Sequence, residues 1–108
     1  MSKFLLACTV LFSLSVKAQD TKNETKGAAT FSQQCASCHG ADGKAQTTTG
    51  KQLNAADLTS SSVQQMSDAQ IAKVVKHGNG KMPPVGENLS DDEIKAVVAY
   101  VKQLGKGQ

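Results

Sequence analysis

The chain has 108 residues, of which 39% are apolar and only 4% aromatic, with no tryptophan. That length and composition bound the molecule to one domain with a thin core. Twelve lysines, no arginine and nine acids give a formal charge of +3, too even a balance for a nucleic-acid surface.

The amino end reads Met-Ser-Lys and then runs FLLACTVLFSLSV from Phe4 to Val16. A basic start, an apolar stretch too short to span a bilayer and small residues at Val16 and Ala18 predict a cleaved signal peptide over residues 1–18. The mature chain is then expected to begin at about Gln19 and to act outside the cytoplasm, in the periplasm or beyond the cell, with no membrane span. Cys8, preceded by Leu5-Leu6-Ala7, offers lipidation as a rival reading; the apolar run before it is short and the one after it long, which argues against that. Without Lys3 and Lys17, ten lysines face nine acids and the charge falls to +1. Without Cys8, Cys35 and Cys38 are left in a compartment where free thiols oxidise.

Residues 19–25 are polar and expected to form a flexible segment, with Thr21 and Glu24 a weak capping box. Ala28, Phe31 and Cys35 recur at helical spacing, so a first helix should deliver both cysteines near its end. Residues 40–62 are rich in Gly, Ser, Thr and Asn and lack periodicity. A structureless stretch of that length is uncommon in a small domain unless it wraps something. Ser67 and Gln70 predict a helix start, Ile71, Val74 and Val75 share its apolar face, and His77-Gly78 predicts its stop. GNGKMPPVGEN then breaks the chain. Ser90 and Glu93 open a last helix, in which Ile94, Val97, Val98, Val101 and Leu104 keep helical spacing; Asp91, Asp92, Lys95 and Lys102 read as its solvated flank. There is no run to assign as a strand and no internal repeat.

The chemistry is concentrated in CASCHG, residues 35–40. Zinc needs four ligands, and with His77 the only other histidine the set is marginal, because His39 sits directly against Cys38. A thioredoxin-type dithiol needs a strand and helix pattern that is missing. Covalent haem accounts for all three residues: two thiols on neighbouring faces of one helical turn add to two vinyl groups, and the next residue presents its imidazole to the iron. C-x-x-C-H is the attachment signature, with Cys35 and Cys38 as anchors and His39 as fifth ligand.

From about Lys26 to Leu104 the sequence resembles the small single-haem class I cytochromes c. Gly27 and Phe31 stand eight and four residues before Cys35, as the family's glycine and aromatic do. Met82 in GKMPP matches its methionine followed by proline, the sixth iron ligand. Val97 and Tyr100 match the positions of the last helix that cross Gly27 and Phe31. The resemblance implies an all-α, cytochrome c-like bundle of three to four helices wrapped around one covalent haem c, over residues 26–108. It implies a monomeric one-electron carrier, not an enzyme, that serves redox proteins as donor and acceptor.

Pro83 and Pro84 stiffen the segment that holds Met82, and nearby glycines permit close approach to a planar group. His77, in the last turn of a helix, is explained by the terminal carbonyls and dipole; Met66 reads as core packing. A haem enzyme or a gas or redox sensor, with an open or labile sixth position, is the alternative function. The family often places a proline after the histidine, and its carbonyl accepts the second imidazole N–H; residues 40–62 contain no proline. The acceptor for His39 is therefore open at the level of sequence.

Overall fold

The computed structural model describes residues 18–107. The expected leader, apart from Ala18, and with it the Cys8 alternative, lies outside the described residues. Regular structure among the described residues is helical, with one isolated β-bridge between Asn79 and Met82. Three long helices, α1 (Ala18–Gln34), α5 (Asp68–His77) and α6 (Asp91–Lys106), form the frame. Three short ones, α2 (Ala36–His39), α3 (Thr48–Leu53) and α4 (Ser61–Gln64), and a 3₁₀ turn at Val85–Asn88 lie between them.

The two later long helices start where their caps dictate. The Ser67 hydroxyl accepts from the Gln70 amide at 3.1 Å, and the Gln70 side chain accepts from the Ser67 amide at 2.9 Å. Ser90 and Glu93 make the same reciprocal pair at 3.1 Å each. Each cap satisfies amides that the first turn leaves orphaned, a contribution of about 1 kcal/mol. α6 also has Asp91, Asp92 and Glu93 in its first turn and Lys106 in its last, so its charges oppose the helix dipole. The helical backbone of α1 begins at Ala18, ahead of the start suggested by Thr21 and Glu24.

α1 packs on α6 at Gly27. A Cβ at that position would lie 2.4 Å from the Ala96 carbonyl oxygen and 3.1 Å from Tyr100 Cβ, so only glycine lets the two backbones come this close. One turn on, the rings of Phe31 and Tyr100 meet in a tilted pair, centroids 5.0 Å apart with 47° between planes, a separation within the range of favourable aromatic pairs. Phe31 and Val97 are fully buried. Ile94, Val98 and Val101 extend the apolar stripe of α6, and Ile71 and Val75 of α5 close on it. Lys76 of α5 and Asp91 of α6 pair at 3.3 Å on the exposed side, where such pairs add little.

Two sequence expectations are corrected. Residues 40–62 are not structureless: α3 forms inside them, capped by the Thr47 hydroxyl, which accepts from the Gly50 amide, and α4 starts at their end. Lys102 does not belong to a solvated flank, because its ammonium donates to the carbonyls of Gln64 and Met66.

Candidate cofactor site

The helical course of α1 continues past Gln34 through the Cys35 amide, which donates to the Phe31 carbonyl at 2.9 Å. The amides of Cys38 and His39 both donate to the Cys35 carbonyl, at 3.2 and 3.0 Å. CASCH is thus one tight helical turn, and residues three apart on such a turn share a side. Both thiols are free and both line a single cavity, together with His39 and Met82. Burial, and after it the charge of neighbouring Cys38, pushes the Cys35 thiol up to about 11, which keeps it a neutral thiol at physiological pH.

His39 is buried, and its Nδ1 lies 2.9 Å from the carbonyl oxygen of Ala56. A carbonyl can only accept, so Nδ1 carries the proton and donates. Nε2 is left with its lone pair free, the tautomer a metal ligand needs. The acceptor that the sequence leaves open is therefore a backbone oxygen seventeen positions further along.

Helix α3 is what brings that oxygen into place. Thr47, its cap, also donates its hydroxyl proton to the Cys38 carbonyl at 2.8 Å, which ties the helix to the cysteine turn. At the other end Asn54 adopts a left-handed conformation, φ 56°, which asparagine tolerates better than most residues. The chain reverses there, the Ala55 amide donates to the Gly50 carbonyl at 2.8 Å, and the Leu58 amide donates to the Gly43 carbonyl at 2.7 Å. Ala56 is held between those two anchors.

Met82 sits in a separate tight turn. The Asn79 amide donates to the Met82 carbonyl at 3.1 Å and the Met82 amide to the Asn79 carbonyl at 3.0 Å. Gly78, with φ 74°, both stops α5 and leaves room for this turn: a Cβ there would stand 2.5 Å from the Met82 oxygen. Beyond Pro83 and Pro84, the buried Gly86 packs against the backbone of α5 at Lys76. The methionine is thereby braced from both sides and half-buried on the cavity wall.

His77 is exposed at the end of α5 and does not line the cavity. Met66 packs against the core and also reaches the cavity wall. Among the described residues no three His, Cys, Asp or Glu side chains come together in a way that could hold a metal ion.

The cavity measures about 440 Å³, within the range of about 300–1,000 Å³ typical of small-molecule sites. Apart from the four candidate residues its walls are mainly hydrocarbon: Phe31 from α1, Ile71 and Val75 from α5, Val97 and Val101 from α6, and Leu58 from the segment between α3 and α4. Two free thiols on one turn, an imidazole with a pinned tautomer and a thioether, around one apolar space, are the donor set that a covalent haem requires. The residues present fit the group.

A family model described as cytochrome c oxidase, cbb3-type, subunit III matches residues 22–101. The chain is 39% identical to cytochrome c6 of Bryopsis maxima over 75% of its own length and 92% of that protein. It is 40% identical to cytochrome c6 of Nostoc sp. over 91% of its length and 81% of that protein. It is also 38% identical to the cbb3-type cytochrome c oxidase subunit FixP of Azorhizobium caulinodans over 82% of its length, but this spans only 30% of FixP. The chain belongs to the c-type cytochrome family, as a small class I member of the kind that carries one covalently bound haem c.

Proposed function

We propose that Cys35 and Cys38 would tether the haem through thioether bonds, that His39 and Met82 would ligate its iron, and that the chain works as a shuttle without enzymatic turnover. The observation that carries this is the single cavity onto which both thiols, the imidazole and the thioether all open. When bound, the haem supplies a reversible one-electron couple. Ala56 holds the His39 ring in the ligating tautomer. The braced Asn79–Met82 turn keeps the thioether in place, which leaves no open position for oxygen or peroxide. A soft thioether paired with an imidazole as ligands would favour the reduced iron and raise the potential relative to two histidines.

The leader-like sequence before Gln19 supports maturation and action outside the cytoplasm; residues 26–108 would be the cytochrome domain, and the chain would act as a monomer. Among the described residues no helix is long and apolar enough to cross a membrane. Electron donor and acceptor are redox proteins that meet the chain at the cavity mouth, where Leu53, Ala56 and Pro83 line the cavity yet remain exposed. A patch of that kind, on a chain with a formal charge near +1 after export, docks by apolar contact more than by long-range steering.

Optical spectra of the exported protein in both oxidation states, followed by carbon monoxide and peroxide challenge, test this reading. It expects low-spin haem, slow carbon monoxide binding and negligible peroxide turnover. High-spin iron with rapid peroxide consumption would replace the shuttle with an enzyme or sensor.

A further inference from the structure

The wall of the cavity formed by Leu58, Val63 and Met66 is fastened from behind by two polar side chains. Gln64 lies on the same short segment. Its amide nitrogen donates to the Leu58 carbonyl at 2.7 Å and to the Val101 carbonyl of α6 at 3.0 Å. Lys102, the next residue of α6, donates from its ammonium to the Gln64 carbonyl at 2.7 Å and to the Met66 carbonyl. These two carbonyls lie at and just beyond the end of α4, where a helix leaves its acceptors unpaired and the dipole favours a cation. Four carbonyls are thus satisfied by two side chains, which tie the Leu58–Met66 segment to α6.

We propose that Lys102, with Gln64, is a positioning residue for the haem environment: it latches the Leu58–Met66 wall shut and stations a positive charge immediately behind it. The inference rests on the haem-carrier reading and adds to it a residue that neither ligates nor anchors the group. Two consequences have the same sign. A closed apolar wall keeps water out, and low water access disfavours the more highly charged oxidised iron. The ammonium behind the wall disfavours the oxidised iron as well, because it repels added positive charge.

The test compares wild type, Lys102→Met and Lys102→Arg as haem-loaded proteins, by reduction potential and by amide exchange at Gln65 and Met66. Lys102→Met keeps the aliphatic bulk and removes the donors and the charge. It is expected to lower the potential and to speed exchange at those two amides by about tenfold or more, as loss of a charge-assisted hydrogen bond entails. Lys102→Arg should restore both toward wild type. If Lys102→Met fails to mature, Gln64→Asn, one methylene too short to span both carbonyls, supplies the same two readouts. A lower melting temperature with unchanged potential and unchanged exchange at Gln65 and Met66 would overturn the proposal and leave Lys102 a generic packing residue. Absence of haem from the wild type would instead defeat the carrier reading.

Discussion

The imidazole of His39 and the backbone carbonyl of Ala56 meet at 2.9 Å across seventeen residues of sequence. The contact fixes the imidazole tautomer with Nε2 free to ligate, and it depends on α3 through the cap at Thr47 and the reversal at Asn54. Replacing Thr47 with valine removes both the cap and the bond to the Cys38 carbonyl. The expected cost is about 0.5–2 kcal/mol of stability, together with faster solvent exchange of the His39 Nδ1 proton in the NMR spectrum of the reduced protein. An unchanged exchange rate would show that α3 does not position Ala56.

The Gly27 crossing leaves no room for a side chain, because the Cβ would lie 2.4 Å from the Ala96 oxygen. Gly27→Val is expected to destabilise the loaded protein by about 1–3 kcal/mol through overpacking. Phe31→Ala, which empties a fully buried site, should cost about 3–5 kcal/mol. Denaturant midpoints with an unchanged slope give both values directly.

Acid should weaken the start of α6. The Ser90 backbone amide, and after it the Ser90 hydroxyl, holds the Glu93 carboxyl below its ordinary value. A group whose folded pKa is depressed adds stability above its unfolded pKa and loses it as the pH falls through the folded one. Melting temperature should therefore drop below the ordinary glutamate range, and Glu93→Gln, which can still accept from Ser90 but does not titrate, should show a shallower acid limb. Identical acid limbs in the two proteins would show that this cap does not contribute to acid sensitivity.

What was legible in the sequence was chemistry that side chains announce. The C-x-x-C-H turn, the Ser67/Gln70 and Ser90/Glu93 caps and the Gly27–Tyr100 crossing are all written in residue types at fixed spacing. Three features were not. Helix α3 is six residues long and has no apolar period, since one short turn does not need a buried face; Thr47 and Asn54 were its only signals. The acceptor for His39 is a main-chain oxygen, and any residue has one, so Ala56 has no signature. Lys102 occupies a flank position that usually faces solvent, and only the folded position of Gln64 and Met66 turns it inward.

Haem should be part of the core as well as the reactive group. Covering on the order of 400 Å² of apolar macrocycle contributes on the order of 10 kcal/mol, comparable with the whole net stability of a domain. A Cys35→Ala, Cys38→Ala double variant purified free of haem is expected to be largely unfolded, with no cooperative thermal transition by circular dichroism. A sharp melt would show that the helices hold together without it.

The central proposal is that His39 and Met82 would ligate the iron of one haem c, and the ferric absorption spectrum of wild type beside Met82→Ala tests it most directly. The account predicts a long-wavelength sulfur-to-iron charge-transfer band in the wild type, and its loss with a fall in reduction potential in Met82→Ala. A wild type without the band, or a variant that keeps both band and potential, would contradict it.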